Sequence, residues 1–294
     1  MQKSVWMLVA AFFFSVMAAL TKVGAQNFGT SELIFYRSLF GVIVMAAGVA
    51  ASGRSLKTPL AFSHIKRSFF GTLGMSIWFY AIAHLPLGTA MTLNYTSPLY
   101  MAGGVVLMSF WHKHPVKWVQ AAAVLLGFLG VVLVLRPEVH AGDELPALIG
   151  LTSGLFGAMA YYQIRELAHM KEPEWRIVFY FTLFGTVWGA LGQLLLGGGF
   201  TPVRLSDVPA LLGIGVTATA AQYTMTRAWG GENVLLTAVF QYSAIVFATL
   251  IGMLFFAESL PWQSALGIAT ILVAGVWATL ANRHHSIPKG KMHN

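Results

Sequence analysis

Asn94-Tyr95-Thr96-Ser97-Pro98-Leu99-Tyr100 stands midway along an apolar run from Leu87 to Trp111. That run reaches the ~20 residues a helix needs to cross a bilayer. A proline inside it leaves the carbonyl four residues back, that of Asn94, without its helical partner. In hydrocarbon such a group must find another partner, so broken helices and polar residues face protein or a wet cavity. Two readings follow: a stretch lining a substrate path, or a kinked helix packed on its neighbours.

The rest of the chain supplies the context. It is 57% hydrophobic and only 10% charged, against roughly 25% charge in soluble domains, so it reads as a polytopic membrane protein. Cysteine is absent, which excludes a disulfide frame and a thiolate metal site. The net charge of +8 sits in short loops between apolar runs, a placement that argues against nucleic acid. Ten spans are expected, over Ser4–Thr21, Glu32–Ala51, Ser68–His84, Leu87–Trp111, Val116–Leu135, Leu145–Met170, Glu174–Leu196, Ser206–Trp229, Val234–Ala257 and Pro261–Ala281. Connections are short and leave no room for a soluble domain. With the N-terminus in the cytoplasm, 14 Lys and Arg fall inside, Arg67 among them, and 3 outside. This bias predicts both termini inside.

Shifting the chain by 144 residues aligns its halves without a gap. Phe35-Tyr36 falls on Phe179-Tyr180, Trp118 on Trp262, Ser97 on Gln241 and Pro98 on Tyr242. The expectation is two five-helix repeats, residues 1–140 and 145–284, with a basic cytoplasmic tail at 285–294. The first helix has a counterpart in Leu145–Met170, which favours a structural role over a cleaved signal peptide. Five is odd, so the second copy enters the membrane inverted. The expected fold is an all-α polytopic membrane protein, ten transmembrane helices in two inverted repeats around a central cavity.

Candidate site residues follow from depth and helical spacing. Asn94, Ser97 and Met101 recur at i, i+3, i+7, on one face. Their repeat mates include Gln241, with Tyr242 following, so both halves carry a midspan polar cluster. Trp78, Phe79 and Tyr80 lie near the middle of the third span, Tyr161 near that of the sixth, and Gln222 is the repeat mate of Trp78. Each has a bland reading as membrane aromatics or helix packing. Arg37 either meets a substrate carboxylate or pairs with carbonyls or Glu32 near the headgroups, the second being favoured by its shallow depth. Glycine pairs Gly71/Gly74, Gly150/Gly154 and Gly185/Gly189 predict close helix contacts. The ten acidic residues all lie in or near loops, which predicts no obligatory proton coupling. No phosphate-loop, zincin or Gly-x-Ser-x-Gly motif occurs. The chain is expected to be no enzyme and to hold neither metal nor cofactor. Expected partners are a small-molecule substrate and the lipid bilayer, with no obligatory protein partner implied.

These features resemble the EamA branch of the drug/metabolite transporter superfamily. Leu254-Phe255-Phe256-Ala257-Glu258, followed by Trp262-Gln263, is similar to the end of an EamA repeat, and Arg37 matches an arginine often seen in the second helix there. Within the family, Asn94-Tyr95-Thr96-Ser97-Pro98 resembles the Asn-Tyr-x-x-Pro piece of YddG-type aromatic amino-acid exporters. That resemblance implies a cavity walled by helices three, four, six, eight and nine. It also implies cavity positions for Tyr95 and Ser97, with Phe79 and Tyr80 beside them and Pro98 as the kink. Ser97 departs from the tryptophan of enteric relatives, and a small residue there widens the site. The expected activity is inner-membrane export of amino acids, aromatic ones included, by alternating access. The alternative is export of another metabolite or drug, such as a nucleobase or cationic toxicant.

Overall fold

The computed structural model describes residues 3–85, 87–136, 142–256 and 261–286, apart from the side chains of 79, 82–83, 87–89, 256 and 282–286. Glu138, Glu258 and most of the expected tail lie outside them. Every regular element among the described residues is helical: α1 (Trp6–Gly24), α2 (Thr30–Ala51), α3 (Ala61–His84), α4 (Leu87–Asn94), α5 (Ser97–Trp111), α6 (Trp118–Leu135), α7 (Glu144–His169), α8 (Glu174–Leu196), α9 (Val208–Trp229), α10 (Val234–Gln241), α11 (Ser243–Phe256) and α12 (Trp262–Ser286), with one 3-10 turn at Lys3–Val5. Taking α4–α5 and α10–α11 as one interrupted helix each leaves ten helical stretches.

Seven described stretches are long and apolar enough to cross a membrane, the joined Val234–Phe255 among them. The other three, α3, α4–α5 and α9, hold Arg67, Asn94 and Gln222. Around the outside, Leu107, Leu125, Leu148, Val187, Leu194, Val273 and Val276 are all exposed. An apolar surface of that extent suits hydrocarbon rather than water.

Renumbering the ten stretches by five carries the main packing pairs onto one another. α1 lies against α9 and α3 against α7, which exchange, whereas α2·α8 and α6·α12 map onto themselves. This packing is compatible with a two-repeat layout. Small residues bring the helices together where the glycine pairs predict it. A β-carbon added at Gly189 would lie 2.7 Å from the Phe35 nitrogen, and Gly74 meets the backbone of α7 at Ser153 and Gly157. In α6·α12, Gly130 and Gly267 put backbone against backbone.

The start of α2 and the start of α8 each hold a loop from the other half. Glu32 accepts the Thr201 backbone N–H (2.5 Å) and hydroxyl (3.1 Å), as well as the Gly29 N–H (2.9 Å). Its repeat mate Arg176 donates to the Ser55 carbonyl at 2.8 Å, and Tyr180 donates to that of Leu56 at 2.9 Å. Glu32, one of the two kinds of partner expected for Arg37, is thus engaged by Thr201 and Gly29 instead.

Candidate substrate cavity

A cavity of about 200 Å³ lies at the centre of the bundle. Its wall is built from stripes of residues at helical spacing. Arg67, Gly71, Gly74, Met75 and Trp78 of α3 recur at i, i+4, i+7, i+8 and i+11, one face of a helix. Ser153, Gly157, Ala160 and Tyr161 do the same on α7, and Met7, Ala11, Phe14, Ser15 and Ala18 on α1. Asn94 and Tyr95 enter from the end of α4, Gln222 and Met225 from α9, Gln241 and Ala244 from the α10–α11 break, and Arg37 and Phe181 from α2 and α8.

Both interrupted helices open beside this cavity. In the first, α4 ends at Asn94 and α5 begins at Ser97, with Pro98 in its first turn. Proline suits that position because the N–H there lacks a helical partner in any case. The Thr96 hydroxyl closes the turn on the Leu93 carbonyl at 2.5 Å, and the Leu99 N–H returns to Thr96 at 2.8 Å. In the second, Tyr242 alone separates α10 from α11. The Ser15 hydroxyl of α1 donates to the Ala244 carbonyl there at 2.9 Å.

The two polar clusters meet. Gln241 Nε2 donates to the Ser97 hydroxyl at 3.2 Å, across a sequence separation of 144, and lies 3.3 Å from the Tyr161 hydroxyl. Tyr161 is held flat against Trp229, ring centroids 4.7 Å apart. The Gln241 carbonyl oxygen is buried without a protein partner.

Of the expected site residues, Trp78, Asn94, Tyr95, Tyr161, Gln222 and Gln241 line the cavity. Ser97 stands behind Gln241 in contact with it. Met101 and Tyr242 do not reach the cavity. Met101 is packed in the main hydrophobic cluster, and Tyr242 is fully buried with its ring over Gly127. Tyr80 is exposed and stacks on His84, centroids 4.1 Å apart. The Phe79 side chain lies outside the described ones.

Two arginines change the character of the site. Arg37 lines the cavity, its Nη1 3.5 Å from the Met75 sulfur, rather than lying against Glu32 at the rim. Arg67, assigned from sequence to a basic inner loop, is 2% exposed and part of the wall. Its guanidinium sits 3.8 Å from the Phe181 ring centroid, and Nη2 lies 3.4 Å from Gln222 Oε1. The signal that places it is the stripe Arg67-Gly71-Gly74-Trp78, which begins at Arg67 and not after it. The first helix also contributes more wall than its bare polarity suggests, because alanines and methionines line a cavity as readily as they pack a core. Among the described residues no cluster of three or more His, Asp or Glu could hold a metal.

The EamA-like transporter family model matches residues 2–136. Over 91% of this chain and 92% of its own length, the pseudopaline exporter of Pseudomonas aeruginosa is 32% identical. A riboflavin transporter of Vibrio cholerae is 26% identical over 95% of this chain and 93% of its own. An S-adenosylmethionine uptake transporter of Rickettsia bellii is 24% identical over 91% and 89%. A solved crystal structure superposes with a TM-score of 0.82 at 23% identity, covering 96% of this chain and 98% of the other, which supports the fold. The all-helical bundle, its central cavity and these likenesses together establish that the chain belongs to the EamA-like transporter family, a group of multi-pass membrane transporters.

Proposed function

We propose that the chain exports amino-acid-type metabolites, aromatic ones included, from the cytoplasm by alternating access. The observation that carries this reading is the central cavity, where repeat-related residues of the two interrupted helices, Ser97 and Gln241, touch each other. Inverted-repeat transporters place their sites at such an interface and rock one half against the other around it. The repeats would span residues 1–140 and 145–284, with the tail from 285 and both termini in the cytoplasm of a bacterial-type inner membrane.

Asn94, Gln222 and Gln241 offer amide donors and acceptors for ammonium and carboxylate groups. Trp78, Tyr95 and Tyr161 offer ring faces for a substrate side chain. The volume of about 200 Å³ lies below the ~300–1,000 Å³ of drug-sized sites. In this conformation it suits an amino acid better than a flavin. The export direction draws on the likeness to the pseudopaline exporter. No carboxylate lines the cavity among the described residues, which favours a cycle without obligatory proton coupling. The alternative cargo, a cationic drug, is disfavoured by Arg37 and Arg67 in the wall.

Proteoliposomes loaded with labelled phenylalanine, tryptophan, threonine or glutamate test the proposal. Efflux of at least one that persists without a pH gradient is the expected result. Absence of transport for every amino acid sinks the export reading, and flux that vanishes without the gradient sinks the uncoupled cycle.

A further inference from the structure

The cavity carries two guanidinium groups and, among the described residues, no carboxylate. Among the described residues the three buried acidic ones are occupied elsewhere: Glu32 by Thr201, Glu172 by His64 and Arg176, and Asp207 by Asn27. Arg67 is seated with care. Phe181 supports its plane, Gln222 holds Nη2, and the absence of a side chain at Gly71 makes room for Nη1. Its Nε and Nη1 have no protein partner. Arg37 meets the Met75 thioether, a weak acceptor. Two unneutralised cations lining one cavity inside a bilayer are held only at a cost. An anion relieves it.

The two groups reach the cavity from different helices, Arg37 from α2 and Arg67 from α3. Arg67 Nη1 lies against Gly71, and Arg37 Nη1 against the Met75 sulfur. Guanidinium forks match carboxylates. Two forks carried by different helices, each seated on its own neighbours, suit two separate carboxylates better than one compact phosphate.

We infer that the cavity takes an amino compound bearing two carboxylates, one on Arg67 and the other on Arg37. This rests on the transport reading and names the substrate class of the same cavity. The positions related to Arg37 and Arg67 by the repeat are Phe181 and Leu211. Anion recognition therefore belongs to the first half alone, and the second half contributes the ring under Arg67.

The test is calorimetric binding to the purified full chain in detergent, with L-glutamate and L-glutamine as probes. The two share a shape and differ by one carboxylate. Glutamate binds at least roughly 10-fold more tightly than glutamine, the scale of a charge-assisted bond. Arg67→Gln abolishes that preference, and Arg67→Lys, which keeps the charge without the fork, restores part of it. Gly71→Ala, whose new methyl meets Nη1 at 2.5 Å, weakens glutamate while sparing glutamine. If Arg67→Gln does not elute as a monodisperse protein, Arg37→Gln gives the same comparison, and the wild-type pair stands without any variant. Equal binding of the two probes, binding of neither, or tighter binding of glycerol 3-phosphate overturns the inference. Flux in liposomes separates the two levels. Flux of no amino acid, with glutamate still bound more tightly than glutamine, defeats the transport reading and leaves the anchor. Phenylalanine flux without a glutamate preference defeats the anchor and leaves transport.

Discussion

The two interrupted helices of this protein break at related places for different local reasons. Between α4 and α5 a proline follows the break, and a glycine of α7 drives into it. A β-carbon at Gly154 would lie 2.1 Å from the Thr96 hydroxyl, 3.0 Å from the Leu93 carbonyl and 3.1 Å from the Ser97 nitrogen. Between α10 and α11 there is no proline, and the residue related to Gly154 is Ala10 of α1, itself buried. There Ser15 supplies a hydrogen bond to the Ala244 carbonyl instead. The break is thus a property of the packing, and the proline accommodates it. The substitution expected to do most damage tests that directly. Gly154→Val forces two methyls and a β-carbon against backbone that cannot retreat, at a cost of about 3 kcal/mol, read as lost monodisperse yield and a lower melting temperature in detergent. Ala10→Gly, at the related site, costs only about 1 kcal/mol. Equal effects would mean that the two breaks are supported alike.

A second contrast lies at the ends of α2 and α8, where Glu32 and Arg176 occupy related positions and tie down related loops with opposite charge. Arg176 draws in Glu172, whose carboxylate also accepts a bond from His64 at 2.9 Å. Burial alone would raise the Glu172 carboxyl, but the bonds from His64, Arg176 and Thr58 outweigh it and hold it below the ordinary 4.5. A carboxyl depressed on folding stabilises the protein above its unfolded value and loses that contribution as pH falls through the folded one. Melting temperature should therefore drop as pH is lowered below about 4.5. Glu172→Gln should flatten that drop and cost about 2 kcal/mol at neutral pH, the scale of bonds to a charged group. An unchanged acid limb in the variant would remove Glu172 from the account.

Much of this architecture is legible in composition and periodicity. Spans show because hydrocarbon demands long apolar runs, and glycine pairs show because close helices demand small residues at i+4 spacing. The interruption at Tyr95–Thr96 is announced by Pro98. Its partner at Tyr242 has no such sign and emerges only from the repeat offset that puts Gln241 opposite Ser97. Arg67 is misread because charge near a helix end looks like a loop, and only the glycine stripe after it reveals that it points inward. Arg37 is misjudged for a different reason: depth along a helix says nothing of which way a long side chain turns. Met101 shares a helical face with Asn94 only on an unbroken helix. Two residues of turn between α4 and α5 shift the register, and Met101 ends in the core.

Ser15 sharpens the comparison at a finer scale. Its hydroxyl bonds both Ala11 of its own helix and Ala244 across the gap, at 2.8 and 2.9 Å. Ser15→Ala leaves the Ala244 carbonyl short of a donor beside the α10–α11 break and should cost about 1 kcal/mol. The cost is expected in melting temperature, since the cavity wall at that point loses only one oxygen. A variant as stable as the parent would show that water or a neighbouring group satisfies that carbonyl, and the second break would then need no cap.

The smallest expected effect belongs to the residue most conspicuous in the sequence. Pro98→Ala restores an N–H that could reach for the Asn94 carbonyl and so invites α4 and α5 to merge. Three features resist the merger: Gly154 of α7 already lies against the turn, the Thr96 hydroxyl holds the Leu93 carbonyl, and the Leu99 N–H is committed to Thr96. The second half keeps its own break without a proline, so the ring is not a requirement of the design. What alanine changes is chiefly the unfolded chain, which gains freedom worth about 0.4–1 kcal/mol. Pro98→Ala should lower the melting temperature slightly and leave transport flux within about twofold, since Pro98 is not part of the cavity wall. A well-folded Pro98→Ala protein with flux abolished would reverse the order of cause. The proline would then hold the first break open, and the resemblance between the two halves would stop at the helix axis.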